Sequence, residues 1–391
     1  MPCGGFVPAT GLAFGSNDGC RIGRRPSRPS ARFDESPVSR TEEPELPRLT
    51  SLAHGGGCGC KVAPGLLESI LSQATRGLVP PDLLVGPETR DDAAVWRLDE
   101  ERAIVATTDF FMPIVDDPFD FGRIAATNAL SDVWAMGGRP LFALAIVGMP
   151  VAKLPVETIG RILAGGEAAC RAVNVPIAGG HTIDSAEPIY GLVAIGLVDP
   201  RRMKRNLGAR PGDALVLGKP LGTGILAAAL RQGRLETAEY AAMIASTTRP
   251  NAIGAELARE DAVHAMTDVT GFGLLGHLLE MCRGAGVGAR LDFGSLPLLP
   301  GALEHARAGR VTGASARNES SFAGSVEFDE RLGPPERSLL SDPQTSGGLL
   351  VACDPGAVAG VVASFRGDGF LEARVVGEVL AGRPRVTVRG V

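Results

Sequence analysis

Two cysteines and a lysine end a glycine-rich segment near residue 60. The segment reads His54-Gly-Gly-Gly-Cys58-Gly-Cys60-Lys61. Glycine adopts many backbone conformations, so we expect a flexible arm. A neighbouring cation lowers a thiol pKa and favours the thiolate, which predicts nucleophilic chemistry at Cys58 or Cys60. A Cys pair in an ordinary loop, or half of a metal site, is an equally weighted alternative.

Lys61 is unusual in this chain, because only four of its 39 basic residues are lysines. Arginine has a wide, planar, bidentate group, whereas the lysine ammonium is a compact point charge on a flexible stem. Lysine at this position therefore favours contact with a phosphate.

Several carboxylates precede or end predicted strands or lie on a predicted helix: Asp91, Asp92, Asp109, Asp132 and Asp268. Asp132 shares one polar helix face with Asn128 and Ser131, because these residues are spaced i, i+3, i+4. Oxygen ligands of this type suit Mg²⁺, which is usually shared with phosphates. Any single Asp of this kind is more often a cap of a turn or helix, but the set favours a metal–phosphate site.

Two glycine-rich turns offer backbone N–H groups to an anion: Gly179-Gly180-His181-Thr182 after a short strand at 176–178, and Thr345-Ser346-Gly347-Gly348. Neither has the spacing of a P-loop. Each turn alone is weak support for phosphate binding.

Composition limits the classes of function. A net charge of −5 and an aromatic content of 5% argue against nucleic-acid and membrane-surface partners. No apolar run approaches the ~18 residues needed to span a membrane. The seven scattered cysteines are typical of free thiols in a reducing compartment, so we expect a cytoplasmic protein.

The chain organises into an extension and two domains. Residues 1–50 are rich in Arg, Pro, Ser and Glu, which predicts a disordered N-terminal extension. The remainder alternates strands and helices, including a helix capped by Asp120 that runs to about Ala135 and another near residues 250–259. A basic cluster at 201–205 marks the boundary between a domain at 51–203, with its arm at 51–62, and a domain at 204–391. A polar loop is expected at 309–337.

From about Leu52 to its C-terminus the chain resembles the selenophosphate synthetase (selenide, water dikinase) family. The resemblance rests on the thiol arm and on long motifs: Glu88-Thr-Arg-Asp-Asp-Ala-Ala-Val95, Thr107-Thr-Asp-Phe-Phe-Met-Pro-Ile-Val115, Gly122-Arg-Ile-Ala-Ala-Thr-Asn-Ala129, Ala178-Gly-Gly-His181, Met266-Thr-Asp-Val-Thr-Gly-Phe-Gly-Leu-Leu-Gly-His277 and Asp342-Pro-Gln-Thr-Ser-Gly-Gly-Leu349. It implies an α+β fold with two domains, shared with aminoimidazole ribonucleotide synthetase, and a homodimer formed through the N-terminal domain. It also implies the reaction of ATP, selenide and water to selenophosphate, AMP and phosphate.

The resemblance also implies roles for individual residues. Cys58 and Lys61 fall on catalytic positions. The family's nucleotide-binding positions correspond to the following residues of this chain: Lys61, Thr89, Arg90, Asp91, Asp109, Asp132, Gly180, His181 and Thr182. Mg²⁺ ligands fall on Asp92, Asp132 and Asp268. The N-terminal extension and Pro87 depart from the family pattern, but the extension lies outside every matched motif, so the activity implied by the resemblance stands.

Three alternatives remain at this point. A fold relative such as thiamine-monophosphate kinase would share the aspartates and glycine turns but lack the thiol arm. A thiol metal carrier would need no carboxylate set. A redox switch would form a Cys58–Cys60 disulfide, although the C-x-C ring is strained.

Overall fold

The computed structural model describes residues 47–62, 64–73, 79–86 and 91–390. The prediction of a disordered extension at 1–50 falls almost entirely outside these ranges. So do the roles predicted for Thr89 and Arg90.

In the described part, the first half of the chain forms a six-stranded sheet. Its strands are β1 (Leu83–Val85), β2 (Ala94–Arg97), β3 (Ala103–Phe111), β4 (Arg139–Met149), β5 (Ile177–Asp184) and β6 (Ile189–Val198). They lie in the order β1-β2-β3-β6-β4-β5. The pairs are antiparallel except β4 with β5, whose parallel pairing requires a crossover connection.

Three helices accompany this sheet: α1 (Pro64–Gln73), α2 (Pro118–Ala135) and α3 (Val156–Ala172), which is the crossover. The predicted central helix is α2, although its N-cap is Asp117 rather than Asp120, followed by Pro118 at the first helical position. It ends before Gly137, whose φ is +79°. α2 packs against α3 and the sheet and also contacts the second half of the chain.

The second half forms a sheet of seven strands among the described residues: β7 (Ala214–Leu217), β8 (Val263–Asp268), β9 (Gly288–Asp292), β10 (Val326–Phe328), β11 (Leu349–Cys353), β12 (Arg374–Leu380) and β13 (Val386–Arg389). Their order is β10-β13-β9-β12-β7-β11-β8. The helices are α4 (Thr223–Arg231), α5 (Thr237–Thr247), α6 (Gly254–Leu257), α7 (Gly273–Ala285), α8 (Ala302–Arg307), α9 (Gly313–Ser321), α10 (Pro334–Leu340) and α11 (Val358–Gly367). The two mixed sheets with flanking helices confirm the α+β class.

Three local expectations were wrong. Residues 179–182 lie inside β5 and do not form a turn. The expected polar loop at 309–337 contains α9, β10 and the start of α10. Of the helix expected at 250–259, only the short helix α6 forms. It is preceded by α5, which the sequence pattern did not predict. Met243, Ile244 and Thr247 form the buried face of α5.

The chain passes from the first sheet to the second between Val198 and Ala214, a stretch that contains the expected domain boundary at 203. Asp91 secures this connection, because its carboxylate accepts hydrogen bonds from the Asn206 N–H at 2.8 Å and from Arg205 Nε at 3.2 Å. Among the described helices, none is long and apolar enough to cross a membrane.

Candidate active site

The thiol arm is docked in a groove between the two halves of the chain. Residues 57–60 form a 3-10 turn, and Gly57 has a φ of +54°. A Cβ on Gly57 would collide with Thr345 Oγ1, so only glycine permits this approach. The Cys58 N–H donates to the same hydroxyl at 3.0 Å. The predicted arm is therefore ordered in this conformation, where it is seated on the Thr345 turn.

Burial changes the acidity predicted for the thiols. Cys58 is 1% exposed, and its Sγ donates to Asn128 Oδ1 at 3.3 Å. Burial raises the pKa of Cys58 well above its usual value and outweighs the opposing effect of Lys61. The expected lowering of this thiol pKa is therefore wrong for the docked arm. Cys60 is half-buried, its pKa is also raised by burial, and its Sγ donates to the Gly57 carbonyl at 2.9 Å.

Lys61 forms an ion pair with Asp109 at the base of the arm. Its Nζ lies 2.7 Å from Asp109 Oδ2. Burial alone would lower the pKa of Lys61, but Asp109, with Cys58 and Asp132, raises it above its usual value. Lys61 therefore remains an ammonium while it is partly shielded from water.

Asn128 joins the thiol, the ion pair and the Thr345 turn. It is fully buried on α2. Oδ1 accepts hydrogen bonds from Cys58 Sγ and, at 2.7 Å, from the Ser346 N–H, while Nδ2 donates to Asp109 Oδ2 at 2.8 Å. The sequence placed Asn128 on one polar helix face with Ser131 and Asp132, but its partners lie too far along the chain to be predicted from that spacing.

The three predicted metal ligands come from three separate parts of the chain: the loop before β2, helix α2 and the end of β8. Asp92 Oδ1 accepts from Thr267 Oγ1 at 2.7 Å, and Asp132 Oδ2 accepts from Thr107 Oγ1 at 2.5 Å. Asp268, at the end of β8, is 1% exposed, and its Oδ2 has no hydrogen-bond partner among the described residues. A buried carboxylate oxygen without a donor is costly, unless a cation or a proton satisfies it.

The three carboxylates affect one another electrostatically. Burial raises the pKa of Asp92 and Asp132, and the negative charge of Asp268 raises both further. Burial raises the pKa of Asp268 to about 6. In the described part of the chain, however, no three His, Cys, Asp or Glu side chains converge closely enough to hold a metal ion. The donor chemistry and the unpaired oxygen fit Mg²⁺, whose binding would require these groups to draw together.

Four of the other predicted nucleotide-binding residues lie in the described part of the chain: Asp91, Gly180, His181 and Thr182. Asp91 is engaged with the connection between the sheets. Gly180, His181 and Thr182 lie on β5, the exposed edge strand. Gly180 shares one row of the sheet with Asp109, by way of β6 and β4. Three strand spacings, or about 14 Å, therefore separate their backbones.

Two cavities flank the arm, and Cys60 lines both. One, of about 430 Å³, also contains Lys61, Asp109 and Phe110 in its wall. The other, of about 600 Å³, lies between the arm, α4 and α9. Both volumes are typical of small-molecule sites. The wall of the first cavity therefore includes both an ammonium and an aromatic ring.

Comparison with known proteins first defines the class. The chain matches the family models for AIR synthase related protein, N-terminal domain, over residues 90–198 and AIR synthase related protein, C-terminal domain, over residues 210–389. The crystal structure of thiamine-monophosphate kinase from Stenotrophomonas maltophilia K279a is similar, with a TM-score of 0.56 and 22% identity, over 83% of this chain and 94% of that chain. At this identity the likeness shows the fold alone.

Curated relatives then narrow the class. A selenide, water dikinase of Paraburkholderia xenovorans (strain LB400) is 63% identical over 342 residues, which cover 88% of this chain and 97% of the relative. A selenide, water dikinase of Pseudomonas straminea is 58% identical, with 90% and 99% covered. The chain therefore belongs to the selenide, water dikinase family. This finding favours the family implied by the motifs over the fold relatives and over a thiol metal carrier.

Proposed function

We propose that this enzyme converts ATP, selenide and water to selenophosphate, AMP and phosphate at the site beneath the thiol arm. The observation that carries the proposal is the single hydrogen-bonded assembly of Cys58, Asn128, Asp109 and Lys61. It places a soft thiol beside a cation suited to phosphate, which are the two kinds of group that selenide and ATP need.

Cys58 and Lys61 are the catalytic residues in this proposal. While the arm is docked, burial keeps the Cys58 thiol protonated. Movement of the arm toward solvent would remove the effect of burial and leave Lys61 nearby, which favours the Cys58 thiolate. On closure, Lys61 meets the transferring phosphoryl group and neutralises charge that develops there, while the arm excludes water.

Asp92, Asp132 and Asp268 would hold Mg²⁺, which neutralises phosphate charge when bound. The three carboxylates are buried and repel one another. Their ionised forms are therefore unfavourable unless a cation binds or protons neutralise them. Asp109 and Asp132 lie close enough to Lys61 to raise its pKa, so they would take part in nucleotide binding by keeping Lys61 charged for the phosphates. Thr89, Arg90 and Asp91 precede Asp92 in the chain and are proposed to complete the nucleotide site.

A homodimer formed through the first sheet is part of the proposal. β5 is exposed along nearly its whole length, and an unpaired edge strand readily associates with another strand. Large apolar side chains are also exposed on this sheet: Trp96, Phe110 and Ile183. Because Gly180, His181 and Thr182 lie about 14 Å from Asp109, we propose that they reach a nucleotide bound by a second copy.

The proposed division into domains at 51–203 and 204–391 follows the change from the first sheet to the second.

A cytoplasmic location is supported by the five described cysteines, which are all free thiols.

The experiment is an anaerobic assay of ATP consumption with and without selenide that resolves AMP from ADP. The expected products are AMP and phosphate, formed only when selenide is present. Accumulation of ADP that is independent of selenide would contradict the proposed reaction. Asp99→Asn, in the hairpin between β2 and β3, is a suitable control because its carboxylate pairs only locally with Arg102.

A further inference from the structure

Lys219 lies in the interior of the second half of the chain, and the proposed mechanism gives it no role. Its side chain is 2% exposed. Nζ donates to two backbone carbonyl oxygens, of Arg249 at 2.7 Å and of Ser346 at 2.8 Å. Both acceptors are neutral carbonyl oxygens, so these hydrogen bonds offset part of the cost of burying the amine and fix the backbone, and the negative charge of Asp268 also favours the ammonium.

The Ser346 carbonyl belongs to a turn with an unusual conformation. Ser346 has a φ of +52°, a left-handed value that residues with a Cβ rarely adopt. Such a conformation persists only where surrounding contacts hold it. Lys219 holds the carbonyl of Ser346 from one side, and Asn128 accepts from its N–H on the other.

The same turn is packed closely against the backbone of Lys219. A Cβ on Gly348 would collide with the Lys219 nitrogen, so glycine is required for this approach. Asn251 holds the adjacent carbonyl, since its Nδ2 donates to the oxygen of Gly347 at 2.9 Å and to Ser131 Oγ at 2.8 Å. The turn is therefore fixed from behind by two buried side chains.

The front of the turn receives the thiol arm. Thr345 Oγ1 accepts from the Cys58 N–H, and the Ser346 N–H donates to the amide that accepts from the Cys58 thiol. We infer that Lys219 is a positioning residue, whose bond to the Ser346 carbonyl keeps the turn in the conformation that receives Cys58. The consequence for catalysis rests on the proposed function, whereas the seating of the arm does not.

The test is the rate at which iodoacetamide alkylates individual cysteines of the full-length protein, resolved by mass spectrometry. Lys219→Met keeps the length of the side chain and removes its donors. We expect Cys58 to react at least about tenfold faster, while the buried Cys170 and Cys282 keep their wild-type rates. Lys153→Met is the matched control, because Lys153 is exposed and should change none of the three rates.

A second variant separates positioning from general destabilisation. Ser346→Gly accepts a positive φ without strain, so in the Lys219→Met background it should restore most of the protection of Cys58. An unchanged Cys58 rate in Lys219→Met would overturn the inference. So would equal acceleration of all three cysteines, or failure of both variants to fold, since each result would assign Lys219 to the stability of the whole fold.

Kinetics provides the functional measurement. Lys219→Met should lower kcat roughly tenfold and change the KM for ATP less, because Cys58 and Lys61 are displaced while the other nucleotide-binding residues stay in place. A larger change in the KM for ATP than in kcat would count against the inference. Absence of selenide-dependent turnover in the wild type would refute the proposed function, while the alkylation rates would still decide the role of Lys219.

Discussion

One amide side chain, that of Asn128, organises the candidate site at the scale of residues. Its oxygen accepts from the Cys58 thiol and from the Ser346 N–H, and its nitrogen donates to Asp109. An aspartate here would lose the donor, and a leucine would lose both functions. The position of the thiol and the position of the Lys61–Asp109 pair are thus set by the same residue.

The two thiols should differ in importance. We expect Cys58→Ser to lower selenide-dependent AMP formation roughly 100-fold or more, and Cys60→Ser by less than about tenfold. The reason is that Cys58 contacts the Asn128 assembly, whereas the Cys60 thiol donates to the backbone carbonyl of Gly57. The measurement is the anaerobic AMP assay, with thermal melting as a check on folding. Equal and complete loss in both variants would indicate a two-thiolate metal site.

At the scale of elements, the start of α4 is tied to the turn that seats the arm. The N–H groups of residues 222 and 223 donate to Gln344 Oε1, and those of residues 224 and 225 donate to Asp342 Oδ2. Four N–H groups that a helix start leaves unpaired are therefore satisfied by two side chains of one motif. Burial raises the pKa of Asp342 to about 7.

This shift predicts how stability depends on pH. Because the folded pKa of Asp342 lies above its unfolded value, the folded state binds the proton more tightly between about pH 4 and 7, and the stability that Asp342 contributes falls as pH rises through that range. Asp342→Asn cannot titrate. Between pH 5 and 8, the free energy of unfolding of the wild type should therefore fall by roughly 2 kcal/mol more than that of the Asp342→Asn variant.

Urea denaturation at the two pH values measures this difference. Parallel pH profiles for the two proteins would show that Asp342 titrates with the same pKa in both states. Asp354→Asn is the control, because Asp354 is exposed and caps only the short turn Pro355–Ala357.

At the scale of the whole molecule, the three predicted Mg²⁺ ligands come from both halves of the chain. Asp92 and Asp132 belong to the first half and Asp268 to the second. Asp132→Asn removes one buried charge but keeps an oxygen for Thr107. We expect Mg²⁺-dependent nucleotide binding to weaken at least about tenfold, while the melting temperature without metal stays equal or rises, since an unpaired buried charge is lost.

Isothermal titration with a non-hydrolysable ATP analogue, with and without Mg²⁺, provides the measurement, and Asp99→Asn is again the control. If Asp132→Asn retained the full Mg²⁺ dependence, Asp132 would not be a metal ligand.

The proposed dimer is tested on the exposed edge of the first sheet. Ile183 is 53% exposed on β5, so Ile183→Asp should cost a monomer little but place a charge in the proposed interface. Sedimentation velocity should show a shift from dimer toward monomer, with the affinity weakened at least about tenfold. Leu371→Asp, at a residue 72% exposed in the second half, should leave the assembly unchanged. Dimers of wild-type affinity in Ile183→Asp would place the interface elsewhere.

The sequence by itself determined the class of fold, the long helix α2 and the motifs that identify the family. These features depend on local periodicity, capping residues and the order of motifs along one chain, all of which can be read without knowing which distant segments meet. The roles of Cys58, Lys61 and the aspartates were predicted on that basis and stay predictions for the experiments above.

Only the tertiary structure decided the acidity of Cys58, the part played by Asn128 and the contacts of Lys219 and Asp91. Each depends on burial and on partners far away in the sequence: Thr345 lies 287 positions from Cys58, and Ser346 lies 127 positions from Lys219. Residues 179–182 are a further example of this dependence on distant partners. Their glycines predicted a turn, but pairing with β4 holds them in an extended strand. The local sequence shows which chemical groups the chain carries. Burial and long-range contacts determine the charge, the partners and the function of those groups.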